Sequence, residues 1–409
     1  MKKFFNVTDL EKVFEFISDF PQVGTEEIPL SRAFGRILSD DIVSDVDLPD
    51  FSRSTMDGYA VRGSSTFGAS EGNPGYLTVK GSVSMGAIPS FSIGAGEAAK
   101  ILTGGMLPDG SDSVVMIEHT EAVDNTFIEV YQSVAPGQNI IEKGEDIKKG
   151  ETILAGGQKL RAQEIGLLAA IGKKNVQVYK KPVIGIISTG DEIVQIEERV
   201  APGQIRDINT HTLSSLIIKT GGIPASYGIV KDDYDLLLKK CLQALDKSDM
   251  VMISGGSSVG TRDYTMQALS ALPGSSILVH GISISPGKPT ILSKSKNIAF
   301  WGLPGHVASA MVVFTIIVSV FIEHISGLSP LNKRKTKIPA ILTRNISSAQ
   351  GRTDFIRMQL IEKDGKLWAK PILGKSGLIN TMVKADGLVE IEINTEGLNK
   401  GTTVSVIPF

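Results

Sequence analysis

PVIGIIS (182–188) runs into the polar turn TGDE (189–192), and MVMIS (250–254) runs into GGSSVGTRD (255–263). Both runs are short, β-branched and apolar on both faces, the pattern of a strand buried inside a parallel sheet. Between them the sequence predicts a helix over about 209–220, opened by Asn209 and closed by Gly221-Gly222. A strand ASYGIV (225–230) and a helix from near Asp233 complete that interval. Beyond 263 come a helix, strands near ILVHGI (277–282), PTILS (289–293) and IAFWG (298–302), and a long apolar helix over 306–325. This alternation predicts a doubly wound, largely parallel α/β domain spanning 181–328.

The flanks lack that rhythm. Residues 45–141 read as a β-rich domain, and residues 1–25 with 142–180 as a helical and linker domain containing the helix RAQEIGLLAAI (161–171). In 333–409 the runs PAILTRN (339–345), FIRMQLIE (355–362), LVEIEI (388–393) and TTVSVIPF (402–409) predict a small β-barrel or sandwich. KRKTK (333–337) reads as a solvated junction.

With 409 residues, 42% hydrophobic and 21% charged, the chain has material for several packed domains. A net charge of -2 argues against nucleic acid, which demands an excess of phosphate-neutralising cations. The single Cys241 excludes an internal disulfide and cysteine-built metal sites, and its apolar surroundings predict a buried thiol. Phe4, Val7, Leu10, Val13, Phe14 and Ile17 recur at helical spacing, so the start reads as an amphipathic helix rather than a leader. The apolar run from Val307 to Ile322 is shorter than the roughly 20 residues that span a bilayer. It is expected to be a core helix, which makes the cytoplasm the expected location.

Ligands of such sheets bind beyond the carboxyl ends of the strands. There the loop of Ser254, Gly255, Gly256, Ser257, Ser258 and Gly260 offers backbone N–H groups to an anion, although a plain strand-to-helix turn has the same outline. It matches neither a P-loop nor a dinucleotide fingerprint. Asp191, Glu192, Asp232, Asp233 and Asp263 fall on the same edge and suit a hard cation such as Mg2+, with phosphate oxygens completing its shell. Asp233 and Asp263 are equally placed to cap helices. Lys288, between the prolines of PGKP (286–289), offers a point cation. None of the five histidines has metal-ligand spacing, and His306 after Leu303-Pro304-Gly305 is the one closest to these loops. SRSTMDGYAVR (52–62), TGGMLPDGSDSVV (103–115) and GEDIKKGE (144–151) combine acids with tight turns, and the first lacks the alternation of a half-buried strand.

In order along the chain, MDGYAVR, TGGMLPDGSDSVV, GQNIIEKGEDI, ISTGDE, SGGSSVGTRDY, PGKP and GLPG resemble the molybdopterin molybdenumtransferase family, the MoeA group, which is similar to the E domain of gephyrin. The resemblance runs from about residue 4 to the C-terminus. It implies an elongated four-part homodimer with a MogA-like molybdopterin-binding central domain, β-rich N-terminal modules and a small C-terminal β-barrel. The implied reaction uses adenylyl-molybdopterin, molybdate and Mg2+, and releases AMP. By motif, it places Asp57, Thr103, Asp146, Glu192, Asp232, Asp263 and Lys288 in catalysis, with Glu192, Asp232 and Asp263 as metal ligands. Ser254, Gly255, Gly256, Ser257, Ser258, Gly260, Pro304, Gly305, Arg357 and Ser376 are placed against substrate, with N-terminal motifs of one subunit facing the central domain of the other.

Departures from the family pattern are Gly281 and Ser285 where lysines are usual before PGKP, Ile141 where arginine is usual, and His306 where asparagine is common. The missing cations bear on the oxyanion, so a tungstate-inserting paralogue is a second expectation. A non-catalytic scaffold like gephyrin is a third, and retention of the acids argues against it. Adenylylation of molybdopterin fits less well, because enzymes of that step resemble residues 180–325 alone.

Overall fold

A computed structural model describes residues 7–124, 126–255, 264–330 and 336–409. Gly256, Ser257, Ser258, Gly260 and Asp263, together with Phe4 and the start of KRKTK, lie outside the described residues. The chain forms two compact units, one of residues 1–40, 156–161 and 175–409, the other of 41–155 and 162–174.

The first unit is built on β1 (Val183–Thr189), α1 (Asn209–Thr220), β2 (Ile223–Val230), α2 (Tyr234–Leu245), β3 (Met250–Ser254), α3 (Tyr264–Ser270), β4 (Ser275–His280), β5 (Ile291–Ser295), β6 (Ile298–Leu303) and α4 (Val307–Ile325). The sheet order is β2-β1-β3-β6-β5-β4. The β2, β1, β3 and β6 contacts are parallel, whereas β5 pairs antiparallel with both neighbours. The two residues between β5 and β6, with Lys296 at φ 53, permit a hairpin and no crossover helix, which is why the parallel order stops there.

Period-two alternation along the strands feeds two cores. Ile184, Ile186, Met250, Met252 and Trp301 pack against Leu213 and Ile217 of α1 and against α4. Ile187, Val251, Ile253 and Phe300 face α2 and α3, including Leu237, Cys241 and Leu269. Burial pushes the Cys241 thiol up to about 12, so it is an inert apolar filler. The helix that opened with Asn209 ends at Gly221, which takes the left-handed conformation at φ 102.

α4 has 19 residues and is apolar enough to cross a membrane, so its length does not decide its location as the shorter run had led us to expect. Its packing decides instead: Val312, Val313, Phe314, Ile317, Val318, Phe321 and Ile322 are all buried in the core, and the Phe321 ring meets Trp301 edge-on at 5.0 Å. The N-terminal helix is shorter than its periodicity predicts. It covers Leu10–Glu15 and tightens into a 3-10 turn at Phe16–Asp19, with Val13 and Phe20 entering the core.

Beyond residue 336, β7 (Ile338–Leu342), β8 (Thr353–Lys363), β9 (Lys366–Pro371), β10 (Gly387–Ile391) and β11 (Thr403–Pro408) close in the ring β8-β9-β7-β11-β10 and back to β8. Leu342, Met358, Ala369, Val389 and Val406 fill this five-stranded barrel. Ile284–Ser285 adds parallel to Thr353–Asp354 of β8, which ties the turn 286–289 to the barrel.

The second unit contains a six-stranded sheet in which Gly58–Val61 lies between Ser113–Met116 and Glu97–Ile101. All four residues of Gly58–Val61 are buried. A strand covered on both faces has no wet side, so the missing alternation in MDGYAV has a structural cause. Gly58 is required there: a Cβ would stand 1.9 Å from the carbonyl oxygen of Val115. The helix expected over 161–171 is found at Ala162–Ala170.

Candidate functional site

At the carboxyl ends of β1, β2, β3 and β6 lies a cleft of about 940 Å³. Thr189 lines it from the last position of β1, Glu192 just after β1, Asp232 after β2, Gly255 after β3, and Pro304, Gly305 and His306 after β6. Ser285 and Lys288 line it from the turn tied to the barrel, and Arg352 and Ser376 line it from the barrel itself. The structure thus brings together Glu192, Asp232, Gly255, Lys288, Pro304, Gly305 and Ser376, whose sequence separations reach 184 residues between Glu192 and Ser376.

The acids have separate jobs. Asp191 accepts the Asp232 N–H at 3.2 Å and so sets the loop that carries Asp232. Asp233 caps α2, accepting from the Leu236 N–H at 2.9 Å, the outcome that its position had left open. Glu192 and Asp232 remain on the cleft. Among the described residues no three metal-ligating side chains converge. Two carboxylates still fit Mg2+, which keeps several waters and takes the rest of its shell from substrate phosphates rather than from an all-protein cage.

Among the described residues three cations, Arg206, Lys288 and Arg352, line the cleft. Arg206 donates from Nε to the Ile196 carbonyl at 2.9 Å, and Arg352 pairs with Asp354 at 3.0 Å. Lys288 has no carboxylate partner among the described residues. Arg206 also has no carboxylate partner there but is engaged by carbonyls, so among the described residues the Lys288 ammonium is the cation left for an anionic ligand.

Ser254 is 1% exposed at the end of β3, and its Oγ accepts from Asn209 Nδ2 at 2.6 Å. The same Nδ2 donates to the Gly305 carbonyl at 2.8 Å. Asn209 is therefore a strut between the ends of β3 and β6, not the helix cap that its position suggested. Asp207 takes the capping role: its Oδ1 accepts from the Thr210 N–H at 3.0 Å and its Oδ2 from the Thr210 hydroxyl at 2.6 Å. Asp207-x-x-Thr210 is the capping signal that the reading missed. Gly255 has φ 110, and a Cβ would stand 2.2 Å from the Thr189 carbonyl oxygen, so no other residue closes this turn without displacing backbone.

His306 Nδ1 lies 2.7 Å from Ser376 Oγ, and the Ser376 carbonyl accepts the Ala308 N–H in the first turn of α4. Arg357 is not among the residues lining the cleft. Its guanidinium donates to the Gly374 carbonyl at 2.6 Å and to the Thr381 hydroxyl, holding the loop that presents Ser376.

In the second unit Asp57 Oδ1 accepts from both the backbone N–H and the hydroxyl of Thr103, at 2.7 and 2.8 Å. These bonds, the N–H first, hold the Asp57 carboxyl below the usual carboxylate range. Asp146 is exposed on the loop after Gly144. Asp47, absent from the sequence reading, organises that loop by accepting from the Lys149 N–H at 2.9 Å.

A largely parallel sheet whose strand ends gather acids and a lysine in one cleft defines an α/β ligand-binding domain, here joined to a barrel. Residues 185–324 match the family description "Probable molybdopterin binding domain". Residues 8–172 match the "MoeA N-terminal region (domain I and II)" and 339–409 the "MoeA C-terminal region (domain IV)". The chain belongs to the MoeA family.

Among relatives, it is 35% identical to a molybdopterin biosynthesis protein of Methanocaldococcus jannaschii over 405 residues, covering 97% of this chain and 94% of that one. It is 33% identical to the molybdopterin molybdenumtransferase of Haemophilus influenzae over 387 residues, or 94% of each chain. The crystal structure of a molybdopterin biosynthesis MoeA protein from Pyrococcus horikoshii superposes with a TM-score of 0.85 at 32% identity, over 98% of this chain and 100% of the other.

Proposed function

We propose that the protein inserts molybdenum from molybdate into adenylyl-molybdopterin, with release of AMP and dependence on Mg2+. The supporting observation is the cleft itself: two carboxylates and a lysine without a carboxylate partner among the described residues meet there, where β1, β2 and the 286–289 turn converge. Glu192 and Asp232 would hold Mg2+, with Asp263 as the third candidate ligand; the ion supplies charge neutralisation on the pyrophosphate as its bond breaks. Lys288 places a further positive charge on the same edge, and an ammonium that is not already paired keeps its field for the phosphoryl oxygens. The turn at Gly255 opens the path to the loop that would cradle a phosphate. Asp57, Thr103 and Asp146 belong to the proposal as groups of the second unit, in a cytoplasmic homodimer whose state sedimentation checks.

Ser285 lines the cleft, and it presents a hydroxyl where the family usually has an ammonium. Selection between molybdate and tungstate is therefore part of the test. Purified protein is incubated with adenylyl-molybdopterin and Mg2+ under each oxyanion, and AMP is quantified. Molybdate-dependent AMP release is expected; release under tungstate alone makes the protein a tungstate-inserting paralogue. No release with either oxyanion sinks the transferase reading and leaves a binding scaffold.

A further inference from the structure

Two side chains lining the cleft are more than nine-tenths buried and carry polar atoms without a partner among the described residues. Thr189 is 3% exposed and Asn209 8%. Among the described residues Thr189 Oγ1 and Asn209 Oδ1 have no hydrogen-bond partner, and both residues line the cleft. Such atoms cost about 1–3 kcal/mol each when left unpaired, so most in native proteins are paired.

Neither is an accident of a loose rotamer. Asn209 Nδ2 is committed to Ser254 Oγ and the Gly305 carbonyl, which fixes the amide with its oxygen as the remaining group. Were the amide turned over, its oxygen would face the Gly305 carbonyl oxygen at 2.8 Å, acceptor against acceptor. Thr189 sits beside Gly255, where a Cβ would come within 2.9 Å of its Oγ1. The two side chains therefore flank consecutive residues, Ser254 and Gly255, at the end of β3.

We propose that Thr189 Oγ1 and Asn209 Oδ1 form a reading pair that binds a neutral N–H or O–H donor of the ligand, not its phosphate. The amide oxygen is a pure acceptor, so a phosphate oxygen would be repelled there. A heterocyclic N–H, an amino group or a sugar hydroxyl satisfies it, and the threonine hydroxyl can accept a second donor or donate to an adjoining carbonyl. The inference rests on the molybdopterin reading above. Two parts of adenylyl-molybdopterin carry such donors, the pterin ring and the adenosine.

Thr189→Val separates this from a structural role, because it removes a hydroxyl that has no partner among the described residues while keeping the shape. Titration of the full-length protein with molybdopterin under anaerobic conditions, and separately with AMP, reads the two sources. Thr189→Val is expected to melt at or above the parent temperature without ligand, and to bind one of the two probes five- to tenfold more weakly, the size of one neutral hydrogen bond. Thr189→Ser is expected to restore that affinity. Asn209→Ala is expected to lose most of its ligand-induced rise in melting temperature, measured against its own unliganded value. A weakened molybdopterin arm assigns the pair to the pterin, and a weakened AMP arm to the adenosine. Parent-like affinity of Thr189→Val for both probes overturns the inference while leaving the transferase reading intact. A parent protein that binds neither probe overturns both.

Discussion

Asp57 and the cleft acids illustrate two ways of placing a carboxylate. Asp57 is held within its own unit by one residue, Thr103, which supplies both donors to a single oxygen. Its ionisation is determined locally, and the bonds lower its pKa without burial. Glu192 and Asp232 stand in a cleft assembled from the ends of parallel strands, the 284–289 segment and the barrel, and their surroundings depend on every one of those contacts. The first arrangement is complete without a ligand. The second faces a cleft large enough to take a ligand.

The largest expected effect falls on the cleft. Glu192→Ala or Asp232→Ala should lower AMP release from adenylyl-molybdopterin by about 100-fold or more, on the scale of losing one preorganised electrostatic group. Turnover at the parent rate would remove both residues from the chemistry and break the contrast with Asp57. Next is Gly58→Ala, whose Cβ would collide with the Val115 carbonyl oxygen at 1.9 Å. A loss of about 3 kcal/mol is expected from forced backbone movement. Calorimetry should show the transition of the 41–155 unit moving while that of the α/β unit stays, and a uniform shift would contradict the division into two units.

A smaller effect distinguishes a cap from a ligand. Asp233→Ala should cost about 1 kcal/mol of stability in urea unfolding. Mg2+-dependent AMP release should not change, because this carboxylate is spent on the Leu236 N–H. The smallest change is in Thr103→Val, which removes the hydroxyl donor and keeps the backbone one. The Asp57 carboxyl should then titrate closer to its ordinary value in a carbon-detected NMR experiment. The sign follows from the depressed folded pKa. The stabilising contribution is complete above the unfolded pKa and disappears as pH falls through the lower folded one, so parent and variant should differ at neutral pH and converge in acid. An unshifted titration would mean that the backbone N–H carries the whole effect.

The alternation of apolar runs, glycine-closed helices and strand-end loops was readable along 182–325, because strand burial and helix amphipathicity are periodic properties of neighbouring residues. So was the buried character of Cys241. The segment Gly58–Val61 resisted the same reading: its periodicity is erased by burial on both faces, and periodicity is the signal that such a reading uses. The antiparallel pair β5 and β6 was likewise readable in principle from its two-residue connection, but runs of apolar residues alone do not state direction.

By itself, then, the sequence determined the class of the central domain, the loops that reach its ligand edge and the motifs that mark the family. The tertiary structure alone decided which side chains meet there. It turned Asn209 from a cap into a strut between β3 and β6, assigned Asp207 to the cap, and used Arg357 to hold the loop of Ser376 instead of lining the cleft. It also brought Arg352 and Ser376 to the same cavity by pairing Ile284–Ser285 with β8. The physical reason is range. Periodicity and capping act over three or four residues, whereas a hydrogen bond between Asn209 and Gly305 spans 96 positions and forms only after the sheet has set its register.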